Sequence, residues 1–333
     1  MTRLSGAPRW MIVGSFALVL SLAGALGIVR ATNSALDGVT RVAAVAPMLS
    51  APTDGVINYL LVGSDSRAGA DPNDEDFAAV GSEDATPGMR SDTIIVVRHD
   101  TRTGGVAMMS VPRDLWVKMG DSETLQKVNA AYQRGPDVLV RTVQRALNIP
   151  IHHYLEVNFG GFKKIVDAIG GVHVCVDAPS RDKATGFYIG KRACKRVDGA
   201  QALAYARSRY FEEKIDGSWR IDGTGDVGRG ERQRKFIARL AKDALIHLSR
   251  HPLESSDVFA SVASAVSVDP GLDLIDLGRK LRPLADGRSV SYNLPVDSGW
   301  AGDKFIFRLA KDAQPLLGYF AGVGDPPPPP PEG

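Results

Sequence analysis

The residue types best suited to chemistry cluster in two nearby stretches. The first is Ala206-Arg207-Ser208-Arg209-Tyr210. The second is Gly225-Asp226-Val227-Gly228-Arg229-Gly230-Glu231-Arg232-Gln233-Arg234. Arg207 and Arg209 are two apart, so on an extended segment both face the same way. From Gly228 onward Phe236, Ile237, Leu240, Ala241, Ala244, Leu245 and Leu248 recur at helical steps. That periodicity puts Arg229, Arg232 and Gln233 on one face of a first helical turn. A helix N-terminus favours anions through its free N–H groups and dipole, and guanidinium groups match phosphate oxygens two at a time. The chemistry that fits is a phosphate clamp. On this stretch alone, a solvated basic face is the competing reading.

A second set of polar residues is spread along the chain. Asp65, Asp92, Arg113 and Asp114 each follow or open an apolar run: Val56 to Gly63, Thr93 to Arg98 and Val106 to Val111. In open α/β sheets ligands gather at strand ends, and two carboxylates there are hard oxygen ligands suited to Mg²⁺ beside a phosphate. Taken singly, each Asp reads as a turn or cap residue; four in phase with strand ends read as a site. Gly223-Thr224-Gly225-Asp226-Val227-Gly228 matches G-x-G-x-x-G, but Ser218 to Asp222 is a poor strand to precede it, which argues against dinucleotide binding. His247 and His251 have helical i, i+4 spacing and lack a third metal ligand.

The elements that must position these residues alternate between strand and helix. Val56 to Gly63, Thr93 to Arg98, Val106 to Val111, His152 to Phe159, Val172 to Val176 and 288–294 read as strands. Residues 136–147, opened by Pro136, a segment through Phe162, Ile165, Val166 and Ile169 closed by Gly170-Gly171, then 228–249 and 273–284 read as helices. This alternation predicts an α/β layered sheet. Residues 31–54 read as a linker, 68–89 as a long acidic surface loop, and the six prolines at 326–331 as a stiff exposed tail.

Of 333 residues 44% are apolar, the formal net charge is +2 and aromatics make up 7%, so nothing calls for nucleic acid. The nineteen residues 11–29 carry no charge and are long enough to cross a bilayer. Arg3 and Arg9 precede them, which places residues 1–10 inside and the remainder outside, at a cell membrane spanned once. Cys175 and Cys194 then lie in an oxidising compartment, which favours a disulfide.

Read in order, the motifs Leu60-Leu61-Val62-Gly63-Ser64-Asp65-Ser66-Arg67, Arg90-Ser91-Asp92-Thr93, Val111-Pro112-Arg113-Asp114 and Lys127-Val128-Asn129-Ala130-Ala131-Tyr132 carry a family likeness. It continues through Val157-Asn158-Phe159-Gly160-Gly161-Phe162, Asp167-Ala168-Ile169-Gly170-Gly171-Val172 and the two arginine stretches. Over roughly 56–249 the chain resembles the LytR-CpsA-Psr family of bacterial cell-envelope proteins, and its cysteine pair and composition are similar to actinobacterial members. The resemblance implies an α-β-α sandwich with a central mixed sheet over 56–320, whose pocket holds a polyprenyl diphosphate. It implies transfer of a glycopolymer from that carrier to peptidoglycan through a phosphodiester. It assigns Mg²⁺ (or Mn²⁺) to Asp65 and Asp92, diphosphate binding to Arg67, Arg90, Arg113, Arg207, Arg209, Arg229 and Arg232, and catalysis to Arg113, Arg207, Arg209, Asp226, Arg229 and Gln233. The prenyl tail is expected in an apolar tunnel below the arginines. A diphosphate hydrolase and a non-catalytic envelope module are the alternatives. The polymer, the general base, the roles of 68–89 and 250–325 and the oligomeric state stay open.

Overall fold

A computed structural model describes residues 38–52, 55–65, 91–223 and 225–329. The proposed anchor at 11–29, the loop 68–89, Arg67 and Arg90 lie outside the described residues, as does the side chain of Asp92. Among the described residues no helix is long and apolar enough to cross a membrane.

The chain begins with β1 (Thr40–Arg41), β2 (Val56–Ser64), β3 (Ser91–Asp100), β4 (Val106–Ser110) and the hairpin β5 (Trp116–Lys118) with β6 (Leu125–Lys127). Helix α1 (Pro136–Leu147), β7 (His153–Val157), α2 (Phe159–Ala168) and β8 (Val172–Val176) follow. Then come β9 (Ser180–Asp182), β10 (Phe187–Ile189), β11 (Ala193–Val197), α3 (Gly199–Arg207), β12 (Glu212–Ile215), β13 (Ser218–Ile221) and the long α4 (Gly225–Arg250). The remainder is α5 (Ser255–Ala265), β14 (Val266–Val268), α6 (Leu274–Lys280), α7 (Arg282–Ala285), β15 (Ser289–Asn293), β16 (Val296–Ala301), β17 (Lys304–Leu309) and α8 (Gln314–Phe320).

Seven strands form a central mixed sheet in the order β1-β14-β7-β2-β3-β4-β15. Its middle strands are apolar at nearly every position, as strands covered on both faces must be. Leu60, Val62, Ile94, Val96 and Met109 pack with α1, α8 and the helical turn 128–134. Tyr59, Ile95, Val97 and Met108 share the other face with Ile237, Ala238 and Ala241 of α4. Helices on both faces give the expected three-layer sandwich. A satellite cluster under α2, α3 and β8 contains Val166, Val172, Phe187, Tyr205 and Phe236.

Several local expectations are met for the stated reasons. Pro136 opens α1, where its missing N–H costs nothing, and α2 stops at Gly170 and Gly171, whose φ values of 70° and 98° suit only glycine comfortably.

Four readings need correction. Residues 38–50 are not a linker, since β1 pairs in parallel with β14 and Val45 is 0% exposed within the core. The helix expected over 273–284 is two helices, α6 and α7, because Pro283 in the first turn of α7 lacks the N–H that a continuous helix requires. Ser218–Ile221 is a strand after all, formed by hairpin pairing with β12 across the Asp216-Gly217 turn, within a four-stranded antiparallel sheet, rather than by apolar pattern. The proline tail packs at one point, where the Tyr292 hydroxyl donates to the Pro327 carbonyl at 3.0 Å.

Candidate active site

Between the sheet and the helices α2, α4 and α5 lies a cavity of about 310 Å³, walled by Leu61, Leu155, Phe162, Phe236, Leu240 and Val266. The strands present Leu61, Gly63, Thr93, Ile95, Leu155 and Val157 to it, the alternate positions to those in the α1-side core. Arg207, Arg229 and Gln233 line the same cavity. Beside them a polar pit is lined by Thr93, Ser110, Arg113, Asp226, Arg229 and Asn293.

The geometry around Asp226 explains how the arginines are gathered. One Asp226 carboxylate sits 3.0 Å from Arg113 Nε, 3.3 Å from Arg229 and 3.7 Å from Arg209. Arg113 comes from the loop after β4, Arg209 from the turn after α3, and Arg229 from the first turns of α4. Asp226, with Asp114 taken up by Lys127, leaves the three arginines a local excess of positive charge, which is what a phosphate group needs. Gly230 lets α4 close on the sheet: a Cβ there would lie 3.2 Å from the Ser110 side chain. Gln233 donates to the Ala206 carbonyl at 3.0 Å, tying α4 to the end of α3.

Arg207 is the last residue of α3, not part of an extended segment, so it and Arg209 are not related by strand alternation. Its guanidinium lies 4.5 Å above the Phe159 ring, at the cavity edge. The turn that follows is held by a buried carboxylate that sequence reading missed. Asp182 accepts from the Ser208 hydroxyl at 2.6 Å and from the Arg209 and Tyr210 N–H groups at 3.0 Å each. Burial opposes its charge, but the bonds from Ser208, Tyr210, Ala184 and Thr185 prevail and hold its carboxyl below the usual range. No motif flags an isolated Ser-Arg-Asp strand, and only folding brings Asp182 to this turn.

Two arginines of the second stretch are placed differently from expectation. Arg232 does not join the cluster. It pairs with Asp222 at 2.6 Å, donates to the Ser208 carbonyl at 2.8 Å and lies over the Phe211 ring. The two side chains start only about 60° apart around the helix, so what parts them is the hold of Asp222 and the Ser208 carbonyl on Arg232. Arg234 is fully buried and bonds to Ser110 and Asn293, both of which line the pit. Burial lowers its pKa to about 10, so it keeps a positive charge beneath the pit.

The proposed metal-binding pair comes to one place along the backbone. Ser64 of β2 pairs with Ser91 of β3, with a register shift between Gly63 and Ser64, so Asp65 and Asp92 lie at the same sheet end. The buried Ser91 hydroxyl there has no hydrogen-bond partner among the described residues. Two carboxylate-bearing residues and an unsatisfied hydroxyl fit a hard cation such as Mg²⁺. No cluster of three or more metal-binding side chains occurs among the described residues. Asp114 is held by Lys127 at 2.9 Å and lies 3.8 Å from Arg113. Cys175 and Cys194 are directly opposite on β8 and β11 and form a disulfide. His247 stacks on His251 at 4.9 Å and lies 3.3 Å from Glu254.

Comparison with known proteins places this geometry in context. The LytR_cpsA_psr family model matches residues 28–314. A probable cell wall biosynthesis protein, LcpB of Corynebacterium glutamicum, is 37% identical over 242 residues, covering 72% of this chain and 54% of that protein. A polyisoprenyl-teichoic acid–peptidoglycan teichoic acid transferase, TagU of Enterococcus faecalis, is 35% identical over 186 residues, covering 56% of this chain and 55% of that protein. The chain thus spans about half the length of these curated relatives. A LytR-Csp2A-Psr enzyme from Actinomyces oris shares the fold, with a TM-score of 0.61 at 24% identity over 85% of this chain and 95% of that one. An arginine-rimmed apolar cavity on a mixed sheet, within a match that runs from residue 28 to 314, makes this chain a member of the LytR_cpsA_psr family.

Proposed function

We propose that this protein transfers a glycopolymer from a polyprenyl-diphosphate carrier to peptidoglycan, joining them through a phosphodiester. The observation that carries this reading is the apolar cavity opening directly beneath Arg207, Arg229 and Gln233. A prenyl tail needs apolar walls, each buried methylene contributing about 0.8 kcal/mol, and its diphosphate needs cations at the mouth. The name of the Enterococcus faecalis relative, a transferase between polyisoprenyl-linked teichoic acid and peptidoglycan, supports the same substrate classes.

In this reading Arg113, Arg207, Arg209 and Arg229 bind the diphosphate oxygens. Asp226 keeps three of them spaced before the substrate arrives, which lowers the cost of gathering like charges. A hydroxyl of the acceptor sugar attacks the phosphorus that bears the glycopolymer. The new P–O bond forms as the bond to the bridging oxygen breaks, the hydroxyl proton passes to solvent, and polyprenyl phosphate departs with the bridging oxygen. Phosphoryl transfer asks mainly for positioning and charge neutralisation, and this site supplies both. Asp65 and Asp92 are the residues that would hold Mg²⁺ (or Mn²⁺), which when bound neutralises charge on the diphosphate. Residues 11–29 serve as a single membrane anchor, with the domain outside the cell beside its lipid substrate.

The test is incubation of the full chain with a lipid-linked glycopolymer, Mg²⁺ and soluble peptidoglycan, scoring phosphodiester-linked product. Release of free phosphorylated polymer despite abundant acceptor would instead make the protein a hydrolase, and no turnover would make it a binding module. Mass spectrometry of an organic extract of the purified protein should reveal a polyprenyl phosphate or diphosphate. A reporter fused after residue 30 tests the outward topology.

A further inference from the structure

A second concavity meets Arg113 from the opposite side. It has a volume of about 370 Å³ and is lined by Arg113, Trp116, Gln126, Asn129, Gln133 and Lys304, among others. Its walls are the β5–β6 hairpin, the helical turn 128–134 and the start of β17. These elements belong to the α1 side of the sheet, since Leu115, Val117, Val128 and Ala131 pack with Leu60 and Val62. The apolar cavity lies on the other face, against Leu61 and Ile95. Arg113 lines both the groove and the polar pit that adjoins the cavity.

We propose that this groove is a glycan subsite that takes an N-acetylated sugar strand as the acceptor. The inference rests on the transferase reading above and names where its second substrate sits. In-line displacement at phosphorus requires the attacking oxygen opposite the leaving group. With the leaving prenyl phosphate over the apolar cavity, the acceptor hydroxyl must approach from the far side of Arg113, where the groove lies.

The walls carry the chemistry that a glycan needs. Trp116 is partly exposed and offers an apolar ring face to the C–H face of a sugar. Gln126, Asn129 and Gln133 carry amides, each able to donate and accept, which suits hydroxyl and acetamido groups. The acidic wall residue Asp114 is neutralised by Lys127 at 2.9 Å, while Lys304 is exposed and can meet a carboxylate on the strand. The Asn129 N–H donates to the Arg113 carbonyl at 3.2 Å and the Val128 N–H to the Leu115 carbonyl at 2.8 Å. The segment carrying the amides therefore also fixes the backbone of the arginine at which the two substrates meet.

The experiment uses the full chain and two readouts. Calorimetric titration without donor, using N-acetylated glycan strands freed of stem peptides, measures binding; transfer kinetics measure KM for acceptor and donor separately. Trp116→Ala should weaken glycan binding tenfold or more and raise the acceptor KM similarly, leaving the donor KM within twofold. Gln133→Ala, at an exposed position that does not threaten folding, should show a threefold or larger loss in the same direction. The subsite is overturned if both variants bind glycan within twofold of the parent, or if the parent binds a plain glucan or isolated stem peptides as well as it binds the N-acetylated strand. A protein that binds the glycan through Trp116 yet transfers nothing would overturn the transferase reading and leave the subsite standing.

Discussion

The two faces of the central sheet are built from neighbouring residues of the same strands and end in different states. On the α1 side Leu60, Val96 and Met109 are 0% exposed, and α1, α8 and the turn 128–134 fill the space above them. On the α4 side Leu61, Leu155 and Val157 face a cavity of about 310 Å³. Residue types do not separate the faces, for both are Leu, Ile and Val. Helix placement does. Helix α2 docks against α5 so closely that a Cβ on Gly161 would lie 2.2 Å from the Ala265 carbonyl oxygen, so its contacts are made with another helix. Near the mouth α4 approaches the sheet through Gly230, and farther along Phe236 and Leu240 form cavity wall. One face spends all of its apolar surface on stability; the other does so at Tyr59, Val97 and Met108 and keeps the end around Leu61, Leu155 and Val157 for a ligand.

The largest expected effect breaks the functional face. Arg113→Ala or Arg229→Ala should lower transfer by 10²- to 10³-fold, the size typical of losing one preorganised charge partner, with circular dichroism unchanged. Near-normal rates in folded variants would remove these residues from the site.

The comparison itself is tested by adjacent leucines. Leu60→Ala should cost about 2–5 kcal/mol of stability, since its site is closely packed. Leu61→Ala should cost less than half of that in denaturant titrations but weaken retention of a polyprenyl lipid. Equal stability losses would mean that the α4 face is also closed core.

Arg209→Lys sharpens the picture of the mouth. Lysine keeps the charge and loses the planar fork, so a rate loss of about tenfold is expected, equivalent to about 1.4 kcal/mol. A rate within twofold of the parent would mean that a diffuse positive field is sufficient.

The smallest effect is a pH dependence on stability. Burial alone would raise the carboxyls of Asp182, Asp243 and Asp269. Hydrogen bonds from Ser208 and Tyr210, from His173, and from His153 and Tyr154 reverse this and hold all three below the usual range. Their folded-state values are thus depressed, so the stabilisation is fully present above the unfolded value near 3.9 and is lost as pH falls through the folded values. Asp182→Asn should flatten the acid limb of a melting curve and loosen the 208–210 turn. An acid limb identical to that of the parent would mean that Asp182 is not ionised in the fold.

Much of the scaffold was legible because its signals are local. Pro136 opens α1, Gly170-Gly171 ends α2, and the runs ending at Gly63, Arg98 and Val111 became the middle strands. Gly225-Asp226 and the repeat from Phe236 to Leu248 became α4, starting three residues earlier than the pattern showed. Sequence also named Arg113, Arg207, Arg209, Asp226, Arg229 and Gln233, which the fold brings to one place. Less legible were segments whose structure depends on a distant partner. Thr40–Arg41 is a strand because β14, far along the chain, lies beside it; Ser218–Ile221 instead has a local signal, the Asp216-Gly217 hairpin turn from β12, hidden by its polar residues.

The sequence by itself determined the strand and helix periods, the stops between them and the set of charges available for a phosphate site, because each is set by residues within a few positions of one another. Only the tertiary structure decided which charges serve the site. Arg229 faces the cavity, while Arg232 is held by Asp222 and the Ser208 carbonyl. Asp226 gathers arginines from three separate loops and helices, and Asp182 fixes a turn 26 residues away. The cavity likewise has no local sequence signal, since it is space left between layers. A buried leucine and a cavity-lining leucine differ only in what the rest of the chain places opposite them.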